Sequence, residues 1–294
     1  MNQTLEIGES IMNKIGMNLL LWTDSFTLEK DKALIDKVLD MGFDGLEIPV
    51  FAGMTVEQAK EIGGYFAERN VPSSSLAIFS PDSANPVSPD KSLRDGAVEA
   101  FKLYIDCAKA LGSDILVGPF SQGLGYFSGA RPTKREWEWS IDTARRFCDY
   151  AGTKGIAVAI EPLNRFELYM LNTVEDGVRY VSDVGMEHVG LLFDTHHANV
   201  EELSIAGALE YALKYTNHIH ISENNRGIPG TGHACLKDVF DVIKAGGYKG
   251  WLTIEAFNEG APSLQGPLHL WRTFAPSDDE LARQGLAYIQ KMMN

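Results

Sequence analysis

TKGIAVAIEPLN, residues 153–164, leaves a helical pattern at Gly155, runs apolar for five residues and stops on a carboxylate, Glu161. A glycine just past a helix end, then a short unbroken apolar run, describes the return from a surface helix into a strand covered on both faces. The figure recurs in VGLLFDTHH (189–197), HIHISE (218–223) and WLTIEAF (251–257). Upstream, KIGMNLLLW (14–22), GLEIPV (45–50), SSLAIF (74–79) and DILVGPF (114–120) are β-rich runs, each followed by helical sequence. Leu34, Ile35, Val38 and Leu39 recur at helical spacing before Gly42, and Thr55 reads as the N-cap of the next helix. Eight β/α units of about 35 residues each predict an α/β chain folded as a (β/α)8 TIM barrel, one domain over 1–294 with residues 1–13 as an N-terminal extension. The competing doubly wound sheet calls for a Gly-x-Gly-x-x-Gly turn after the first strand, and residues 18–24 hold no glycine.

Composition narrows the function classes. Against 40 acidic residues stand 26 Lys and Arg, a formal charge of −14, which argues against a nucleic-acid partner. A chain of 294 residues buries about three quarters of its unfolded surface, so its core needs no metal. Cys107, Cys148 and Cys235 are odd in number and widely spaced, which excludes a disulfide framework and reads as reduced, buried thiols. No apolar run reaches the roughly 20 residues of a membrane span, and the first ten residues lack the apolar core of a signal peptide. The expected protein is cytoplasmic, with no membrane partner.

The informative residues are polar ones on the last four runs. Glu161, Asp194, His220 and Glu255 stand at the strand ends, 33, 26 and 35 residues apart, about one unit each. In a barrel, those ends share one rim, where active sites lie. Three carboxylates and an imidazole suit Mn²⁺, with Mg²⁺ or Co²⁺ as alternatives, better than a structural zinc site built on cysteine. The plainer alternative, a carboxylate that only caps the next helix, is strongest for Asp194, which precedes Thr195. Glu167, His197 and Arg226 lie just beyond the strand ends and are expected to reach a bound ligand, Arg226 offering a fork of donors. His196 and His218 are expected to face the helix layer as structural residues, and Glu47 to hydrogen-bond in the mouth without being a ligand. Trp22, Phe79, Phe120, Phe257 and Trp271 read either as apolar walls of the mouth or as core.

IEPLNRFELYMLNT (160–173), LLFDTHHANVEE (191–202), HIHISENNRGIPGTGH (218–233), WLTIEAF and the closing WRTFAPSDDELARQGLAYI together resemble the ketose 3-epimerases, which act on D-tagatose, D-psicose (D-allulose) or L-ribulose within the xylose isomerase-like TIM barrels. The likeness covers the chain from about residue 14. It implies a divalent metal held by Glu161, Asp194, His220 and Glu255, with the two glutamates also acting as acid and base. It implies that Glu167, His197 and Arg226 contact a small-molecule ketose, which is epimerised at C3 through a cis-enediolate, and that the enzyme is a homodimer or homotetramer. The chain departs from the family where Gly230-Thr231-Gly232-His233 replaces a Gly-Lys-Gly-Arg-like stretch and where Thr253-Ile254-Glu255-Ala256-Phe257 ends the barrel. Both lie beside the expected site and bear on the substrate. Aldose–ketose isomerisation could use the same metal and is the alternative, as is a non-catalytic sugar-binding barrel. A multi-zinc DNA endonuclease would need histidines at the third and fourth strand ends, which read LAIFS and VGPF.

Overall fold

A computed structural model describes residues 13–50 and 53–294. Eight short strands alternate with helices: β1 (Ile15–Asn18), α1 (Leu28–Asp40), β2 (Gly45–Pro49), α2 (Val56–Arg69), β3 (Ser73–Leu76), α3 (Lys91–Leu111), β4 (Ile115–Gly118) and α4 (Lys134–Lys154) make the first half. The second half runs β5 (Ala157–Ile160), α5 (Val174–Val184), β6 (Val189–Asp194), α6 (Thr195–Glu201), α7 (Ile205–Ala212), β7 (Thr216–Ile221), α8 (Leu236–Ala245), β8 (Trp251–Ile254) and α9 (Asp278–Met293). The strands pair in parallel and in chain order, and β8 returns to β1, closing the barrel. This is the expected (β/α)8 architecture. The strands are shorter than the apolar runs suggested, because residues 19–21 wind into a 3-10 turn and the runs after β5 and β8 leave the sheet at Glu161 and Glu255.

Local chemistry explains the boundaries. Thr55 caps α2 and forms a reciprocal capping box with Gln58, as Thr133 does with Glu136 on α4. Gly155 ends α4 in the left-handed region (φ 68°), where a side chain would be strained. Alternation then sorts each strand into an outward and an inward face. Leu76, Ile115, Val117, Ala159, Leu192 and Trp251 form an apolar cluster separate from the large one between barrel and helices. Trp251 occupies its place because β1 and β2 carry glycine beside it. A Cβ at Gly45 would lie 2.6 Å from the indole, and one at Gly16 would lie 3.1 Å from it.

Two expectations change here. The extension was expected to end at residue 13, but Asn13 is buried and donates to the carbonyls of Tyr248 and Gly250 beside β8, so it belongs to the barrel. Residues 1–12 lie outside the described residues. Cys107 and Cys148 are buried free thiols as expected, whereas Cys235 is exposed at the start of α8. Phe79 and Phe120 are core: with Phe101 and Phe147 they make an aromatic cluster in which Phe101 and Phe147 stack at 4.2 Å. Among the described residues, no helix is long and apolar enough to cross a membrane.

Candidate active site

Glu161 follows β5, Asp194 ends β6, His220 lies one residue from the end of β7, and Glu255 follows β8. Register places Asp194 beside His220, and alternation sends all four side chains to the barrel interior. One ligand-type atom from each lies within 4.8 Å of the others, and all four residues are buried. Of the two oxygens of Asp194, Oδ1 accepts the backbone N–H groups of His196 (2.6 Å) and His197 (3.3 Å), capping α6. Its Oδ2 faces the cluster, 3.6 Å from His220 Nδ1. The capping and ligand readings of this residue are therefore compatible.

The imidazole tautomers follow from their partners. Glu47 Oε1 lies 2.8 Å from His220 Nε2, and a carboxylate only accepts, so Nε2 carries a proton and Nδ1 is the nitrogen turned toward the cluster. His197 is the reverse case. The backbone N–H of Asn164 donates to its Nδ1 (3.1 Å), which leaves the proton on Nε2. That Nε2–H sits 2.9 Å from Arg226 Nη2, also a donor. Two donors meeting at one point mark a place that an acceptor oxygen would satisfy. Arg226 Nη1 meanwhile donates to Asp194 Oδ2 (2.7 Å), Glu255 Oε2 (2.7 Å) and Ser222 Oγ (2.9 Å).

The cluster carries excess negative charge, and its proton affinities show it. Burial and the neighbouring Glu255 carboxylate push Glu161 well above the usual carboxylate range. Burial opposes a charge on His220, yet the carboxylates of Glu47 and Glu255 raise its proton affinity well above the ordinary value. At Asp194 burial also opposes charge, but the Arg226 guanidinium holds the carboxyl well below its usual range. His197 is pushed well down by burial and by Arg226, which keeps it neutral. A divalent cation fits this set. The donors are three carboxylate oxygens and an imidazole nitrogen, and Glu161 Oε1 and His220 Nδ1 are buried polar atoms without a hydrogen-bond partner.

The comparisons with known proteins agree over the length of the chain. The family model described as xylose isomerase-like TIM barrel matches residues 35–292. A probable ketose 3-epimerase of Synechocystis sp. is 30% identical, the match covering 95% of this chain and 96% of that protein. The chain belongs to the ketose 3-epimerases. A D-psicose 3-epimerase of Ruminiclostridium cellulolyticum is 30% identical, with 91% of this chain and 92% of the relative covered. The crystal structure of a Methylomonas sp. D-allulose 3-epimerase in complex with D-allulose superposes with a TM-score of 0.88 at 26% identity, covering 96% of this chain and 97% of that one. Ketose 3-epimerases are isomerases, and this chain is one of that class.

Around the epimerase cluster, Glu167 is half-buried, accepts from Asn164 Nδ2 (2.8 Å) and lies 4.0 Å from His197 Nδ1. Glu167, His197 and Arg226 thus gather on the β5–β7 side of the mouth. A cavity of about 220 Å³ opens there between Phe257, Arg226 and the 268–274 segment. A larger one, about 430 Å³, lies at the opposite end of the barrel around Asn13 and Tyr248, away from the four carboxylate and imidazole groups. Chemistry places the site in preference to size. Of the aromatic candidates, Phe257 borders the mouth with Arg226 5.6 Å over its ring, while Trp271 is 75% exposed and Trp22 is tied to Asp279.

The two histidines expected in the helix layer are elsewhere. His218 is two residues from His220, so the strand period puts both on the inner face, and His218 Nε2 lies 3.1 Å from Glu47 Oε2. His196 sits over the mouth, with Nδ1 against the carbonyls of Glu223 and Asn224. Sequence reasoning missed Asn18, Asn164, Ser222 and Glu223. Glu223, fully buried, accepts the backbone N–H groups of Asn224, Gly230 and Ala234 and so shapes the loop that presents Arg226 in the left-handed region (φ 62°). An acid three residues after the strand-end His220, just past β7, was the available signal.

Proposed function

We propose that this protein is a divalent-metal-dependent epimerase that inverts C3 of free ketoses. The observation carrying this reading is that Glu161 and Glu255, from strands three units apart, enclose the Asp194–His220 pair in one buried, anion-rich cluster. Mn²⁺ is the ion proposed, with Mg²⁺ and Co²⁺ as alternatives, held by Glu161, Asp194, His220 and Glu255. When bound, it supplies Lewis-acid polarisation of the ketone and its neighbouring hydroxyl.

Inversion beside a ketone requires taking a proton from one face of C3 and returning one to the other. Glu161 and Glu255 divide these tasks, one as base and the other as acid, and exchange roles in the reverse direction. Negative charge developing on the substrate as it passes through a cis-enediolate meets the Nε2–H of His197 and the Arg226 guanidinium, the two donors that converge 2.9 Å apart. Glu167 accepts from a sugar hydroxyl on the same side. The D-allulose complex of the Methylomonas relative supports a ketohexose as the first substrate to try.

Incubation of free ketohexoses and ketopentoses with the Mn²⁺-loaded protein in D₂O tests this. The expected product is the C3 epimer carrying deuterium at C3. An aldose product would instead establish isomerisation between C1 and C2, and no deuterium uptake into any ketose would leave a binding protein.

A further inference from the structure

The carboxylate of Glu47 adjoins the cluster at His220 and is completely buried inside a barrel whose β4 and β6 carry the apolar Ile115, Val117 and Leu192. Removing a carboxylate from water costs several kcal/mol unless its oxygens are matched. Here they are matched from three other strands. Oε1 accepts from His220 Nε2 (2.8 Å) and Asn18 Nδ2 (3.0 Å), and Oε2 accepts from Ser74 Oγ (2.9 Å) with His218 Nε2 at 3.1 Å. The same Asn18 amide reaches Glu255 Oε1 at 3.3 Å, while its Oδ1 accepts from Leu20 N and so orients the amide. Glu47 touches one member of the cluster directly and a second through one side chain.

We infer that Glu47 is a positioning residue, which holds the His220 ring in the Nε2–H tautomer with Nδ1 aimed at the cluster and, through Asn18, sets the placement of Glu255. The inference rests on the metal-site reading above. A histidine whose outer N–H is held by a carboxylate is fixed in orientation and made a better ligand, and loss of such a partner weakens metal binding about 10–100-fold. His218 packs beside it: its ring meets that of His220 edge-on, centroids 5.2 Å apart.

Two measurements test this. In ¹⁵N-histidine-labelled protein, long-range ¹H–¹⁵N spectra are expected to show a proton on His220 Nε2 with Mg²⁺ present and absent, and Nδ1 free of its proton when Mg²⁺ is bound. In parallel, free Mn²⁺ followed by electron paramagnetic resonance gives the affinity of the wild type, Glu47→Gln and Ser74→Ala. Glu47→Gln is expected to weaken Mn²⁺ binding about 10–100-fold. Ser74→Ala, which removes a bond to Glu47 but touches no member of the cluster, is expected to stay near the wild type. An Nδ1–H tautomer at His220, or a folded Glu47→Gln protein that binds Mn²⁺ as tightly as the wild type, overturns the inference. Should Glu47→Gln fail to fold, the tautomer decides. A wild type that binds no divalent ion sinks the metal reading itself, and the His220 tautomer then still tells whether Glu47 orients the ring.

Discussion

The two halves of the barrel are built from the same unit, yet they meet the rim differently. From β5 to β8 each strand end carries an ionisable residue into the interior. From β1 to β4 the residues just past the strands are Leu19, Val50, Ala77 and Pro119, and after β3 and β4 Phe79 and Phe120 join Phe101 and Phe147 of α3 and α4 in an aromatic cluster. The polar groups of the first half, Asn18 and Ser74, join at Glu47, and Glu47 and Asn18 reach His220 and Glu255 of the second half. One half gathers the ionisable cluster and the other supplies apolar packing and the groups that brace it from below. The fold sets the positions equally in both. What differs is which side chains are tolerated there, since a buried carboxylate survives only where donors from several strands converge on it.

This contrast can be broken from either side. The largest effect is expected on the reactive half, where Glu161→Gln or Glu255→Gln should lower kcat for C3 inversion by about 10²–10⁴-fold with thermal unfolding little changed. Near-normal turnover with metal bound would remove that glutamate from the acid–base pair. On the packing half, Phe101→Ala should cost about 3–5 kcal/mol in chemical denaturation while the folded fraction keeps its kcat. A loss of kcat out of proportion to stability would show that the aromatic cluster does more than pack. Arg226→Lys keeps the charge but loses the fork, and kcat/KM is expected to fall about 10–100-fold, the loss of one or two charge-assisted hydrogen bonds. The smallest effect separates the two oxygens of Asp194. Asparagine still caps a helix, so Asp194→Asn should lose metal affinity, whereas Asp194→Ala should lose about 1 kcal/mol more of metal-free stability. Equal stabilities would mean that the cap is without consequence.

Much of this was visible in the chain itself. The eightfold rhythm needs only apolar runs, helix periodicity and glycines such as Gly155, all local signals. The convergence of Glu161, Asp194, His220 and Glu255 follows from one-unit spacing once the barrel is granted. What was not legible depended on partners across the barrel. Glu47 and His220 are 173 residues apart in the chain, and nothing near Glu47 shows that polar groups from three other strands await it. Asn18 and Asn164 are ordinary amides until their contacts are known. The placement of His218 is a different matter, since the two-residue strand period already sets it on the same face as His220. Phe79 and Phe120 could have lined the mouth, and long-range packing with α3 and α4 drew them into the core instead.

Asp194 joins two events that would otherwise be separate. The oxygen that faces the cluster and the oxygen that begins α6 belong to one rigid, planar group, and His197 is the third residue of that helix. The carboxylate proposed to hold the ion is thus hydrogen-bonded to the backbone of the residue proposed to meet the sugar. On the proposed reading, ion and sugar are linked ligands, and thermodynamic reciprocity requires that whatever factor the ion adds to sugar affinity, the sugar adds to ion affinity. Titrating Mn²⁺ with and without a ketose measures that factor, and Asp194→Asn, in which one of the two oxygens becomes an amide nitrogen, should bring it close to one.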